Sequence, residues 1–412
     1  MTRLIGPNPP GAGDPYGVGP VGTWLAPTLS IVGLVLVAVV TLNLGNGDLP
    51  FGLGAGGGDG GDPGRTPTPS NIVEVPEGAA FDGAIVYAKD GNIWVQDRNE
   101  ARQLTDSGND AMPSWSDDGE WVYFIQTTRM EGSWPVKGIV EAYALDVPRV
   151  MRVRGDGSGA VDVVLDGRIT SGSNTYAFWI RQPELSPDKR TIAVISDAPD
   201  PDVSTPILQF LDPATGSLTD PQLETDGVLG HQDPAWSPDG RALLYVRNDR
   251  DGARGAPRIM RYDVASGLAQ PLTSGGYLYP SYAPDGAYVA ATRTSTLGTD
   301  VVVLDGTTGE ELLRVTDDGA SWAPAWSPAG NGITFLHLDG QTVDLRLAKL
   351  KGAAPGWAVT ETINLTVVSG LDPASRPGWF IPADQLPATP APTTAPASTT
   401  TSPPPPSPSA SL

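Results

Sequence analysis

The sequence predicts an all-β fold: a six-bladed β-propeller of four-stranded antiparallel blades. The ring is closed by N- and C-terminal strands and preceded by a single transmembrane helix. Three observations lead there. A proline- and tryptophan-bearing turn motif recurs five times, a second hairpin follows most copies, and the two ordered ends of the chain supply complementary parts of one further blade.

The motif reads PSWSDDGEWVYF from Pro113, PELSPDKRTIAVI from Pro183, PAWSPDGRALLYV from Pro234, PSYAPDGAYVAAT from Pro280 and PAWSPAGNGITFL from Pro324. Ser-Pro-Asp-Gly is turn chemistry. Proline presets φ, aspartate bonds the backbone just after it, and glycine takes the left-handed conformation. Short apolar runs flank the turn, so each copy is a β-hairpin. Trp115, Trp236 and Trp326, with Leu185 and Tyr282 at the equivalent place, are read as packing residues between neighbouring sheets.

The second hairpin reads LQFLDPATGSLT from Leu208, IMRYDVASGLAQPLT from Ile259 and VVVLDGTTGEELLRVT from Val301. Asp212, Asp263 and Asp305 open turns that close on Gly216, Gly267 and Gly309. Asn92 to Thr105 is the same element with a different turn. Two hairpins make four strands, the content of one propeller blade. The segment Ala84 to Ala88 matches the strand after a motif turn and lacks the one before it. Arg376 to Phe380 matches the strand before the turn and lacks the rest. Together they complete a sixth blade, which removes the open edge of the ring.

The repeated P-x-W-S-P-D-G with a following Y-D-x-x-[TS]-G hairpin resembles the TolB-type propeller, over residues 78–383. Single turns depart from it: Lys189 stands for the glycine, Ala329 for the aspartate and Asp117 for the proline. The resemblance implies the fold and says little about activity. TolB proteins carry an additional N-terminal α/β domain that binds envelope partners. Here an anchor and a linker are expected in that place, so those partners are not carried over.

Composition narrows the function. Asp and Glu total 47 against 26 Lys and Arg, a formal net charge of −21, which argues against a nucleic-acid partner or an anionic lipid surface. No cysteine is present and there are two histidines, so thiolate chemistry is excluded and His-rich metal or acid–base chemistry nearly so.

Residues 1–23 read as a disordered N-terminal segment. Residues 24–44 form an apolar run of 21 residues, with no charge between Asp14 and Asp48, long enough for a transmembrane anchor; the competing reading is a cleaved signal peptide, against which stand the length of the run and the lack of an Ala-x-Ala site after it. Arg3 before the run and the acidic residues after it place the N-terminus in the cytoplasm and the propeller outside a bacterial cytoplasmic membrane. Residues 45–77 are a Gly/Pro-rich linker, 78–383 the propeller, and 384–412 a Pro/Thr/Ser-rich disordered tail.

No catalytic, cofactor-binding or metal-binding set stands out. G-x-S-x-G is absent, and the look-alike Gly155 to Gly159 falls where a hairpin turn belongs. His231 and His337 read as hydrogen-bonded structural histidines, and the clusters Asp197–Asp202 and Asn248–Gly252 as solvated turns. The second repeat is the longest, with an insertion between Thr127 and Ile180 carrying Trp134, Tyr143, Arg149, Arg152 and Arg154. Insertions fall in loops on one face of a propeller, often the binding face, so these five residues are the candidate binding surface. The arginines have a second reading, as partners of local carboxylates. Three functions follow from the sequence. The first is a non-enzymatic scaffold for an envelope protein or glycan, without cofactor. The second is a channel-site enzyme of the metal-dependent lactonase, cyclase or lyase type. The third, a sensor, is disfavoured because residues 1–23 are too short to form a signalling domain.

Overall fold

The computed structural model describes residues 72–74 and 80–386, apart from 137, 200, 202–204, 226–229, 249–256, 353–354 and 368. The apolar run 24–44 and nearly all of the linker and tail lie outside the described residues. Among the described residues no helix is long and apolar enough to cross a membrane.

Six antiparallel sheets form the six-bladed propeller. The innermost strands are Gly378–Phe380, Asp110–Trp115, Ile180–Leu185, His231–Trp236, Tyr277–Tyr282 and Ser321–Trp326, for blades one to six. Blade four shows the plan: His231–Trp236 pairs with Ala242–Arg247, then Arg258–Asp263, then Leu268–Pro271. Blade one closes the ring as the two chain ends require. Gly378, Trp379 and Phe380 pair with Val86, Ile85 and Ala84. A short strand, Ile72–Glu74, adds to the outer edge of that blade against Glu100–Arg102 and covers it.

The turn chemistry is explicit. Ser237 Oγ donates to Asp239 Oδ1 at 2.7 Å and accepts from the Ala242 N–H at 2.9 Å. Ser116 and Ser186 do the same in blades two and three. Gly240 takes φ 68°, and Lys189, which stands in the glycine place, still takes φ 62°. In the second hairpin Asp305 Oδ1 accepts from the Thr307 and Thr308 N–H groups, and the Gly309 N–H closes on the Asp305 carbonyl at 2.9 Å.

The strands read as unbroken apolar runs because both faces of a blade are covered. In Ala242–Arg247, Leu243 and Tyr245 pack toward blade three with Ala193, Ile195 and Leu208. Leu244 and Val246 pack the other way, toward Val289 and Ala291 of blade five. The same interleaving joins Val86 and Ile93 to Val122 and Phe124 across blades one and two.

Each inner strand runs toward its motif turn, which defines a motif end of the ring. Blade two breaks the pattern at the opposite end. Its second and third strands, Trp121–Val136 and Ile139–Arg154, are 16 residues each and pair continuously from Trp121↔Arg154 to Val136↔Ile139. Residues beyond Thr127 and before Pro148 overhang as a β-ribbon about 30 Å long, at roughly 3.4 Å per residue. The insertion's remainder, Arg168–Ser171 and Asn174–Ala177, forms a small hairpin against its flank, with Thr175 opposite Ser133.

Candidate functional site

At the motif end the six blades surround a funnel of about 420 Å³. Its wall is built from the motif itself: Trp115, Trp236, Tyr282, Trp326 and Trp379 alternate with prolines from the turns. These rings also serve the packing expected of them. Trp236 lies against Phe210 of the preceding blade at 6.0 Å, and Trp115 against Phe380 at 5.5 Å. Trp236 Nε1 donates to the Glu184 carbonyl at 3.0 Å, which fixes the ring between two blades.

The floor is an ion pair on the axis. Arg376 Nη2 meets Glu184 Oε2 at 3.1 Å and the Pro234 carbonyl at 3.0 Å, while Nη1 donates to the Pro280 carbonyl at 2.7 Å. One guanidinium from blade one thus ties blades three, four and five together. Below it lies a small cavity of about 30 Å³ lined by Met112, Gln182, Asp233 and Tyr279. These residues occupy one place in the repeat, directly before the motif proline. A residue before proline is held out of the right-handed helical region. In five blades it takes left-handed φ instead: Met112 55°, Gln182 55°, Asp233 54°, Tyr279 48° and Ala323 52°. The inner strands of these five blades have their register shift at this point. The bulge frees a backbone N–H that the neighbouring blade accepts. Asp233 N–H donates to Gln182 Oε1 at 2.9 Å, Tyr279 N–H to Asp233 Oδ2 at 3.2 Å, and Ala323 N–H to Thr292 Oγ1 at 2.9 Å.

Burial sets the electrostatics of the axis. It pushes the Asp233 carboxyl above the usual carboxylate range, against the pull of Arg376, the Tyr279 N–H and Arg181. Burial also raises Glu184, opposed by Arg376 and reinforced by the Asp117 charge. Sequence reasoning missed this ring. The signal was available: in the aligned repeats the residue before the proline changes from Met to Gln, Asp, Tyr, Ala and Arg while its surroundings repeat.

The histidines are structural. His231 Nδ1 accepts from the Leu208 N–H at 3.1 Å, and Nε2 faces the Glu224 carbonyl at 2.9 Å, so the ring is the neutral Nε2–H tautomer. It replaces the threonine hydroxyl that accepts the equivalent N–H in other blades, as Thr273 does for Ile259 and Thr316 for Val301. Burial lowers its pKa to about 4. His337 Nδ1 lies 3.0 Å from Ser321 Oγ and 3.3 Å from Asp318 Oδ2. Both partners share one ring nitrogen and Ser321 is fully buried, whereas a nucleophilic relay needs serine and acid on opposite nitrogens. Among the described residues no group of three or more His, Asp or Glu is placed to hold a metal ion.

The five candidate surface residues divide into two places. Trp134 and Tyr143 lie on the overhanging ribbon. Trp134 meets Tyr176 edge-on at 5.1 Å, and Tyr143 reaches the Thr175 carbonyl at 3.2 Å. The arginines lie outside the ribbon, along the part of the same strand that belongs to the blade, from Arg149 next to the ribbon's base to Arg154 at the motif end. Arg149 pairs with Asp166 at 3.2 Å, Arg152 with Asp162 at 3.2 Å, and Arg154 with Glu120. Arg152 and Arg154 also stack on the Trp121 ring, at 4.2 and 4.3 Å from its centre.

Comparison of folds places this geometry. TolB from Acinetobacter baumannii aligns with a TM-score of 0.51 at 18% identity, over 73% of this chain and 67% of that one. A protein assigned as TolB from Agrobacterium tumefaciens aligns with the same score and identity, over 74% of this chain and 95% of that one. The chain has the TolB propeller fold. No family model matches it. The uncharacterized protein Atu1656 of Agrobacterium fabrum is 32% identical over 140 residues, 33% of this chain and 44% of that protein. The chain therefore spans less than half of that relative's length. At these identities the TolB-like likeness concerns the fold, and function rests on the site.

Proposed function

We propose that this TolB-like propeller is a non-enzymatic recognition scaffold, anchored through residues 24–44 and displayed outside the cytoplasmic membrane. Its partner is an envelope protein or glycan that engages the funnel at the motif end. The observation that carries the reading is the funnel's construction. Its wall is aromatic and proline-rich, the lining of sites that receive an extended segment or a sugar face. Its one central ion pair is already spent on holding blades together. A wall of this kind binds by shape and apolar contact.

The test uses the full chain. It is incubated with envelope extract, and retained proteins and glycans are compared with those held by Leu386→Asp and Tyr282→Ala, both of which alter the funnel lining. One reproducible ligand, retained by the wild type and weakened about tenfold by either change (about 1.4 kcal/mol), supports the reading. Stoichiometric divalent metal in the purified chain, with no retained ligand, overturns it in favour of the channel-site enzyme.

A further inference from the structure

Among the described residues, the end of the ring opposite the funnel carries most of the exposed large apolar side chains. Ile139 is 67% exposed and Val140 47%, at the ribbon tip. Trp179 is 65% exposed just before the inner strand of blade three, and Leu297 is 89% exposed in a loop of blade five. Trp134, Tyr143 and Ile139 share one face of the ribbon, because the register sets Trp134 opposite Glu141, Gly132 opposite Tyr143 and Val136 opposite Ile139. Gly132 lets the Tyr143 ring lie across its strand, since a Cβ there would come within 2.8 Å of that ring. An aromatic face with polar tips is suited to the boundary between headgroups and acyl chains.

Topology supplies the second argument. Strand Ile72–Glu74 runs antiparallel to Glu100–Gln103, with Ile72 opposite Arg102 and Glu74 opposite Glu100. Glu100–Gln103 is a fourth strand and runs away from the motif end. The chain therefore enters blade one from the ribbon end. Ile72 is thus at the ribbon end of its strand, and in the sequence the apolar run 24–44 precedes it by 27 residues, 45–71.

We propose that the blade-two ribbon docks its Trp134–Ile139–Tyr143 face into the interfacial layer of the membrane that anchors the chain. The propeller then stands with its funnel directed away from the bilayer. This inference rests on the anchoring reading of residues 24–44. Contact is driven by aromatic and aliphatic burial, since a net charge of −21 gives no attraction to anionic lipid. Glu141, opposite Trp134, keeps the insertion shallow by holding a carboxylate at headgroup level.

The chain has no cysteine, so single reporters can be placed cleanly. Ile139→Cys and, at a motif turn, Asp285→Cys are each labelled with an environment-sensitive fluorophore in the full chain, reconstituted in phosphatidylcholine vesicles. The expected result is a blue-shifted label at 139, quenched by spin-labelled lipid and shielded from aqueous iodide at least about threefold relative to 285, independent of salt. Adding Trp134→Ala and Tyr143→Ala should return the label to water. A label at 139 that stays open to iodide in chains that float with the vesicles overturns the docking alone. A label shielded from iodide but untouched by spin-labelled lipid also overturns it, in favour of a protein contact. Chains that fail to float overturn the anchoring reading, and the docking with it.

Discussion

The two ends of the ring are built on opposite principles. At the motif end the blades contribute a repeated set of parts: a tight turn in five blades, built on a serine–aspartate pair in blades two, three and four, an aromatic wedge in five of the six, and in all six a proline at the same place in the inner strand. At the ribbon end one blade contributes a structure the others lack. The motif end is locked by blade-to-blade hydrogen bonds, so its side chains are committed before any ligand arrives. The ribbon is held by its own pairing and by one small hairpin, and leaves large apolar residues in solvent. Repetition stabilises the ring and sets the funnel wall in place before any ligand arrives, whereas departure from repetition leaves apolar surface outside the ring.

The largest expected effect comes from opening the ring. Truncation after Ser375 removes Gly378–Phe380 and exposes the backbone edge of Ala84–Val86. It also removes Arg376 from the axis. The truncated chain should lose its cooperative thermal transition and aggregate, as followed by calorimetry and size-exclusion chromatography. A monomer that melted cooperatively would show that closure is not what holds the motif end.

Next comes the axis itself. Arg376→Met deletes the partner of Glu184 and the donors to Pro234 and Pro280. The pair is partly buried, with side chains 19% and 27% exposed, so breaking it from one side should cost less than the about 3–5 kcal/mol of a fully buried pair, a loss measurable by urea denaturation. The sign of its pH dependence follows from the carboxyls. Asp233 and Glu184 are raised in the fold, so the native state binds protons that the unfolded chain has released. Stability therefore falls as pH rises through the window above the ordinary carboxylate range. Without Arg376 both groups rise further, so the variant's deficit should shrink on acidification. A deficit independent of pH would place the loss in packing alone.

His231 titrates with the opposite sign. The unfolded chain takes up its proton near 6.5, while the fold resists until about 4. Stability contributed by the neutral ring is present above 6.5 and lost as pH falls to about 4. Relative to His231→Gln, which keeps an acceptor for Leu208 and a donor for Glu224, the wild type should lose on the order of 3 kcal/mol across that window. Parallel pH profiles would mean that the ring is protonated in the fold, against the tautomer its hydrogen bonds require.

How much of this could be read in advance tracks the same division. The closure by Arg376–Phe380 was legible because a repeat makes its own missing part conspicuous. The turn roles of Asp212, Asp263 and Asp305 were legible because they depend on neighbours a few residues away. The axis was not. Met112, Gln182 and Asp233 meet only because a bulge turns them inward, and a bulge is a register between strands that no single segment displays. In the insertion the length excess was plain from the motif spacing. Its split into an overhanging ribbon and a set of arginines paired within the blade depended on how far Trp121–Val136 and Ile139–Arg154 stay paired.

That split gives the smallest and most discriminating test. Arg152 and Arg154 are exposed enough at their charged ends that their pairs with Asp162 and Glu120 count for little. Their stacking on one indole is worth more, about 0.5–1 kcal/mol each. Arg152→Gln should therefore lower stability by about that amount. In a double-mutant cycle, the same change made on top of Trp121→Ala should have no further effect. Ile139→Asp, at the other end of the same strand, should leave stability to urea within about 0.5 kcal/mol, because the residue touches little. If Arg152→Gln instead left stability untouched and reduced retention of a ligand, the arginines would join Trp134 and Tyr143 as a binding surface. The long strand pair would then be one functional unit from blade to tip, where the geometry sets a structural base beneath a free tip.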